Sequence, residues 1–131
     1  MGIVAIFIAA VAGFAAGAIW YNVFSTQWMA DIGVPMKEDG TPDITQSPAL
    51  YAKGFVCTLV VAAMMAHTFS GSGVETWHAG LIGGFGIGAF FIAPWITLNV
   101  LYSMRPIRLA MIDGGYAAVA CGVMGLVLTL F

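Results

Sequence analysis

The stretch Arg105-Pro-Ile-Arg-Leu-Ala-Met-Ile-Asp113-Gly-Gly-Tyr116 decides how the chain is read. Two arginines and a proline end one apolar region, and the chain then enters another, carrying an aspartate with it. A turn that re-enters apolar sequence after a basic pair reads as the edge of a membrane. The acid inside it is the polar group whose partner has to be found.

Outward from this turn, composition sets the class. The chain has 131 residues, of which 61% are hydrophobic and 8% charged, against about 25% charged in soluble domains. Four apolar segments, about 3–24, 48–69, 77–103 and 107–131, are each long enough to cross a bilayer, since a span needs about 20 residues. Four such helices in a soluble protein would leave almost no polar surface to dissolve them. The expectation is an all-α integral membrane protein, one domain over 1–131, with four transmembrane helices in an antiparallel up-down bundle. The net charge of −2 offers nothing to nucleic acid. Met1-Gly-Ile-Val-Ala-Ile has no basic region and reads as the start of span one, not a cleaved signal peptide. Cys57 and Cys121 fall at different depths of their spans, so no disulfide is expected.

The segment 25–47 is the one sizeable polar stretch, with Asp31, Lys37, Glu38, Asp39 and Asp43 among Gly33, Pro35, Gly40 and Pro42. It reads as an irregular loop, with a short surface helix around Trp28 and Met29. Ser47-Pro48 is a helix-opening pair for span two. The short link Ser70 to Thr76 makes spans two and three expected neighbours. Pro94 removes one backbone hydrogen bond in span three and predicts a kink there. Lys37, Lys53, Arg105 and Arg108 all lie in or beside the loop 25–47 and the turn 104–106. By the positive-inside rule that side is cytoplasmic, and both termini face the other way.

Small residues repeat every four in two spans: Ala5, Ala9, Gly13 and Gly17 in the first, Gly80, Gly84 and Gly88 in the third. Spacing of four puts them on one helical face, where another backbone can approach closely.

Asp113 lies six residues into span four, about 9 Å deep at the rise of an α-helix. Lys53, Asn99, Trp20 and Tyr21 come to a similar level from the other three spans. A carboxylate facing lipid there costs several kcal/mol. Asp113 is therefore expected to face inward and to bond with Lys53, Tyr21, Asn99 or a backbone donor. The plain reading is a structural clamp that fixes helix register. The sharper one is a proton, ion or headgroup site, and a pair between Asp113 and Arg108 is a third. On the opposite side, His67, Glu75 and His78 flank a short turn and form a permitted metal-ligand set. Ala63, four residues before His67, would leave room for a tetrapyrrole. An interfacial histidine bonded to a neighbour is the default, and no cofactor is required by the sequence. No Ser-His-Asp set or phosphate-binding glycine loop is present, so no enzyme activity is expected.

Two motifs resemble a known family. Gly17-Ala-Ile-Trp20-Tyr21-Asn-Val-Phe-Ser-Thr-Gln-Trp28-Met29 is similar to the end of the first helix in small bacterial membrane proteins catalogued as domain of unknown function 1761. Arg105-Pro-Ile-Arg followed by Ile112-Asp113-Gly-Gly-Tyr116 resembles its last third. The family pattern usually has Ser-Pro after Trp-Tyr, where this chain has Asn22-Val23. The resemblance implies four helices in a bacterial cytoplasmic membrane and carries no activity over. The functional expectation is a non-enzymatic structural or accessory subunit. It would pack through its glycine faces against itself, a larger membrane complex (respiratory or photosynthetic, for example) or a lipid-soluble cofactor. The alternative is a small oligomeric transporter or channel built on Asp113.

Overall fold

The computed structural model describes residues 1–43 and 47–131. It is helical, and no strand occurs among the described residues. The elements are α1 (Ile3–Val23), α2 (Ser25–Ile32), α3 (Pro48–Ser72), α4 (Trp77–Ile87), α5 (Ala93–Tyr102) and α6 (Ile107–Thr129). A π-helical turn, Gly88–Ile92, joins α4 to α5, so that Trp77–Tyr102 is one continuous span. Four helices, α1, α3, α4–α5 and α6, are long and apolar enough to cross a membrane.

The helix ends follow local chemistry. The Ser47 hydroxyl accepts from the Leu50 amide ahead of Pro48, as that pair predicts. Thr76 caps α4 in the same way through the Ala79 amide. Gly33 and Gly73 stop α2 and α3 in the left-handed conformation that glycine adopts without penalty. Pro94 has no N–H to give to the Phe90 carbonyl, and the helix takes up the fault just before it. The Ala93 amide reaches back five residues to the Gly88 carbonyl. The predicted irregularity is thus a π turn, one of the recognised causes of a kink.

Helix α6 is the centre. It packs most extensively on α4, then on α1 and α5, and touches α3 and α2 less. Its buried residues run from Leu109 to Leu128, whereas the other three spans bury little of their surface within the chain. The close approach to α4 depends on absent side chains. A Cβ on Gly84 would meet the Cys121 carbonyl, one on Gly88 the Ala117 carbonyl, and one on Gly80 the Gly125 carbonyl. Along α1, Gly13 leaves room for Met124 and Gly17 for the Tyr116 hydroxyl. Ala5 and Ala9 are buried in the core with Met65, Phe69, Cys121 and Leu128.

Two expectations are refined here. Spans two and three are joined by a short link and meet where Phe69 lies against Gly83, yet each packs more extensively elsewhere. α3 lies mainly on α1, where Phe7 and Phe14 stand edge-on to Phe55, and α4 lies on α6. A link of a few residues fixes the ends and leaves each helix free to follow the better packing surface. The glycine faces are also not free for a partner, because α6 fills both of them.

Candidate functional site

The polar site lies where the end of α1 and the start of α2 meet the first turns of α6. The Tyr21 hydroxyl donates to Asp113 Oδ1 at 2.6 Å. One residue earlier, the Trp20 indole N–H donates to the Ile112 carbonyl at 2.9 Å. One turn deeper, the Tyr116 hydroxyl donates to the Gly13 carbonyl at 3.1 Å. Trp20 fits because position 115 has no side chain: a Cβ there would stand 2.7 Å from the ring. Glycines thus make the spaces, and aromatic side chains fill them with a hydrogen bond at the tip, the way buried Tyr and Trp are normally accommodated.

Rings close the site around the acid. Tyr21 stands edge-on to Tyr116, with centroids 5.3 Å apart, and to Trp28, at 5.7 Å. Trp28 arrives from α2 and approaches the Asp113 carboxyl from that side. Asp113 and Tyr21 are half-buried in this setting.

A second polar tie holds α2 in place. Arg108 grips Asp31 with two hydrogen bonds, Nε to Oδ2 at 2.9 Å and Nη2 to Oδ1 at 2.7 Å. The Asp31 side chain is 5% exposed and that of Arg108 53%. The forked guanidinium matches a carboxylate in this geometry, and its hydrogen bonds hold the Asp31 carboxyl below the usual carboxylate range. Below this tie, Trp28 and Ile32 pack on Val100, Leu109 and Ala110.

Of the residues expected to meet, Asp113, Tyr21 and Trp20 come together, and Lys53 and Asn99 do not. Lys53 is exposed on α3, whose neighbouring Gly54 and Phe55 face α1. Asn99 points out of α5, which turns Val100 and Ile96 inward. Its backbone carbonyl accepts from the Ser103 hydroxyl and amide. Arg108 pairs with Asp31 and not with Asp113. His67, Glu75 and His78 are all exposed, His78 lying against the Trp77 ring at 5.3 Å. Among the described residues no three His, Cys, Asp or Glu side chains gather as a metal site. Ala63 and His67 are both exposed on α3. Cys57 and Cys121 are free thiols.

Asp31, Trp28 and Tyr116 were not singled out as partners in the sequence. Asp31 sits 77 positions from Arg108 in a loop with three other acids, and nothing local distinguishes it. Tyr116 carried a weak signal, since it follows Gly114-Gly115 by one residue.

Comparison with known proteins agrees with this architecture at the level of family. Residues 4–129 match the family model described as "Protein of unknown function (DUF1761)". No curated protein matches, and neither does any solved structure. The match covers nearly the whole chain, and the protein belongs to that family.

Proposed function

We propose that this family member is a non-enzymatic membrane protein, a small structural or accessory subunit set in a bacterial cytoplasmic membrane. The observation that carries the reading is the clamp between α1 and α6. Tyr21, Trp20 and Tyr116 spend their polar tips on Asp113 and on two backbone carbonyls. The acid is locked to a helix neighbour, as a group that sets register would be, and among the described residues no second carboxylate and no basic side chain is paired with it.

Contacts between the two helices pair in reverse order: Gly13 with Met124, Gly17 with Tyr116, Trp20 with Ile112. The same holds for Gly80, Gly84 and Gly88 against Gly125, Cys121 and Ala117. This supports the antiparallel bundle. With it, the basic loop and turn share the cytoplasmic side, and the termini lie opposite. A partner subunit or second copy would pack on α3 and on α4–α5, the spans with most free surface, and not through the glycines. Interhelical packing in lipid needs no more than a complementary apolar face.

The alternative, a small oligomeric transporter, rests on Asp113 itself, because an intramembrane acid is a functional candidate by default. Asp113→Asn separates the two. Loss of transport with intact assembly would favour the transporter, and a near-neutral Asp113→Asn beside a destabilised Tyr21→Phe, without any measurable flux, favours the clamp.

A further inference from the structure

A groove of about 280 Å³ runs between α5 and α6 and is open to the surroundings. One wall is Ala89, Ala93 and Thr97; the other is Met111, Gly115 and Ala118. Behind it the helices touch, since a Cβ on Gly114 would stand 3.0 Å from that of Ala93. We infer that this groove seats one acyl chain of an anionic phospholipid, whose phosphate is received by Arg105 at its mouth.

Three observations select this occupant. The first is length. The α6 wall runs from Ile107 to Ala118, about 16 Å at the helical rise. Half of a hydrocarbon core is about 15 Å. The groove therefore reaches from the turn at 103–106 to the π turn at mid-span, the depth of one leaflet.

The second is polarity. The lone polar side chain in the walls is Thr97, and its hydroxyl is already given to the Ala93 carbonyl at 2.8 Å. No wall side chain is left to read the polar ring of a quinone or a peptide side chain, and hydrocarbon meets no unpaired side-chain donor there. The third is charge. Ile107 lies at the mouth, two residues from Arg105. Arg105 is exposed, and its side chain has no hydrogen-bond or ion-pair partner among the described residues, whereas Arg108 is held by Asp31. A free guanidinium at the cytoplasmic end of a cleft between two spans is a receptor for an anionic headgroup.

The inference rests on the membrane-spanning reading, and its test separates the two. The full chain, purified in mild detergent, is titrated with phosphatidylglycerol, with phosphatidylcholine of the same chains, and with inorganic phosphate. The expected result is a rise of roughly 4 °C in the unfolding midpoint with phosphatidylglycerol once it exceeds its Kd several-fold, and none with the other two. Arg105→Gln abolishes the rise. Ala89→Leu, which fills the deep end, also removes it while leaving Arg105 in place. An equal response to phosphatidylcholine, an equal response to inorganic phosphate, or a full response in Arg105→Gln overturns the inference. Alkaline carbonate extraction of native membranes is run beside it. A chain that stays in the membrane yet ignores phosphatidylglycerol loses only the lipid site; a chain released by carbonate loses the spanning reading as well.

Discussion

Tyr21 and Asp113 are 92 positions apart and share a 2.6 Å hydrogen bond. Tyr21→Phe leaves a half-buried acceptor without its donor, at a cost of about 1–3 kcal/mol. Asp113→Asn keeps an oxygen for the Tyr21 hydroxyl and should cost less, about 1 kcal/mol or under. Both are measurable as shifts in the unfolding midpoint during titration of the detergent-solubilised protein with dodecyl sulfate. A larger loss for Asp113→Asn than for Tyr21→Phe would show that the charge of Asp113, and not the bond, is what matters. Asp113 and Tyr21 were legible beforehand because depth along a span follows from counting residues. Lys53 and Asn99 were counted to the same depth and failed on direction. A helix apolar on every side has no polar face to show which way it turns, so the sequence places a residue at a level without placing it on a side.

The spans themselves were plain, with Pro48, Trp77 and Ile107 opening helices where expected. α3 continues to Ser72, past the expected end at 69, and stops only where Gly73 turns left-handed. The glycines of α4 give a sharp contrast between neighbours. Gly84→Ala drives a methyl into the Cys121 backbone and should cost about 1–3 kcal/mol. Gly86→Ala meets open space and should be neutral or stabilising by up to about 1 kcal/mol. The same unfolding assay orders them, and a stable Gly84→Ala would refute the α4–α6 packing. On α2, the Arg108 hydrogen bonds lower the Asp31 carboxyl. Its contribution is therefore complete above the ordinary aspartate value of about 3.9 and disappears as pH falls through the lowered one. A spin label at the exposed Thr26, in a chain lacking the Cys57 thiol, should stay immobile at pH 5 and loosen only in stronger acid. In Arg108→Gln it should be mobile at both, and an immobile label there would show that the ion pair does not hold α2.

At the scale of the molecule, α6 is a buried mast, and α1, α3 and α4–α5 lie against it or against each other with broad outer faces left to their surroundings. The number of spans and their membrane character could be read from composition. Their order around α6 could not, because in lipid a large apolar residue does not mark an inner face. The glycine repeats lie where helices approach closely, and the helix that fills them is α6 of the same chain. That shifts any contact with another subunit to α3 and α4–α5. The central claim, a subunit that works by packing and not by transport, is tested most directly by purification from native membranes in mild detergent, with mass spectrometry of all that accompanies the chain. The account predicts partner chains, or further copies of this one, in a fixed ratio that substitutions on the outer faces of α3 or α4–α5 reduce. A chain recovered alone, with ion or proton flux in vesicles that Asp113→Asn abolishes, would contradict it.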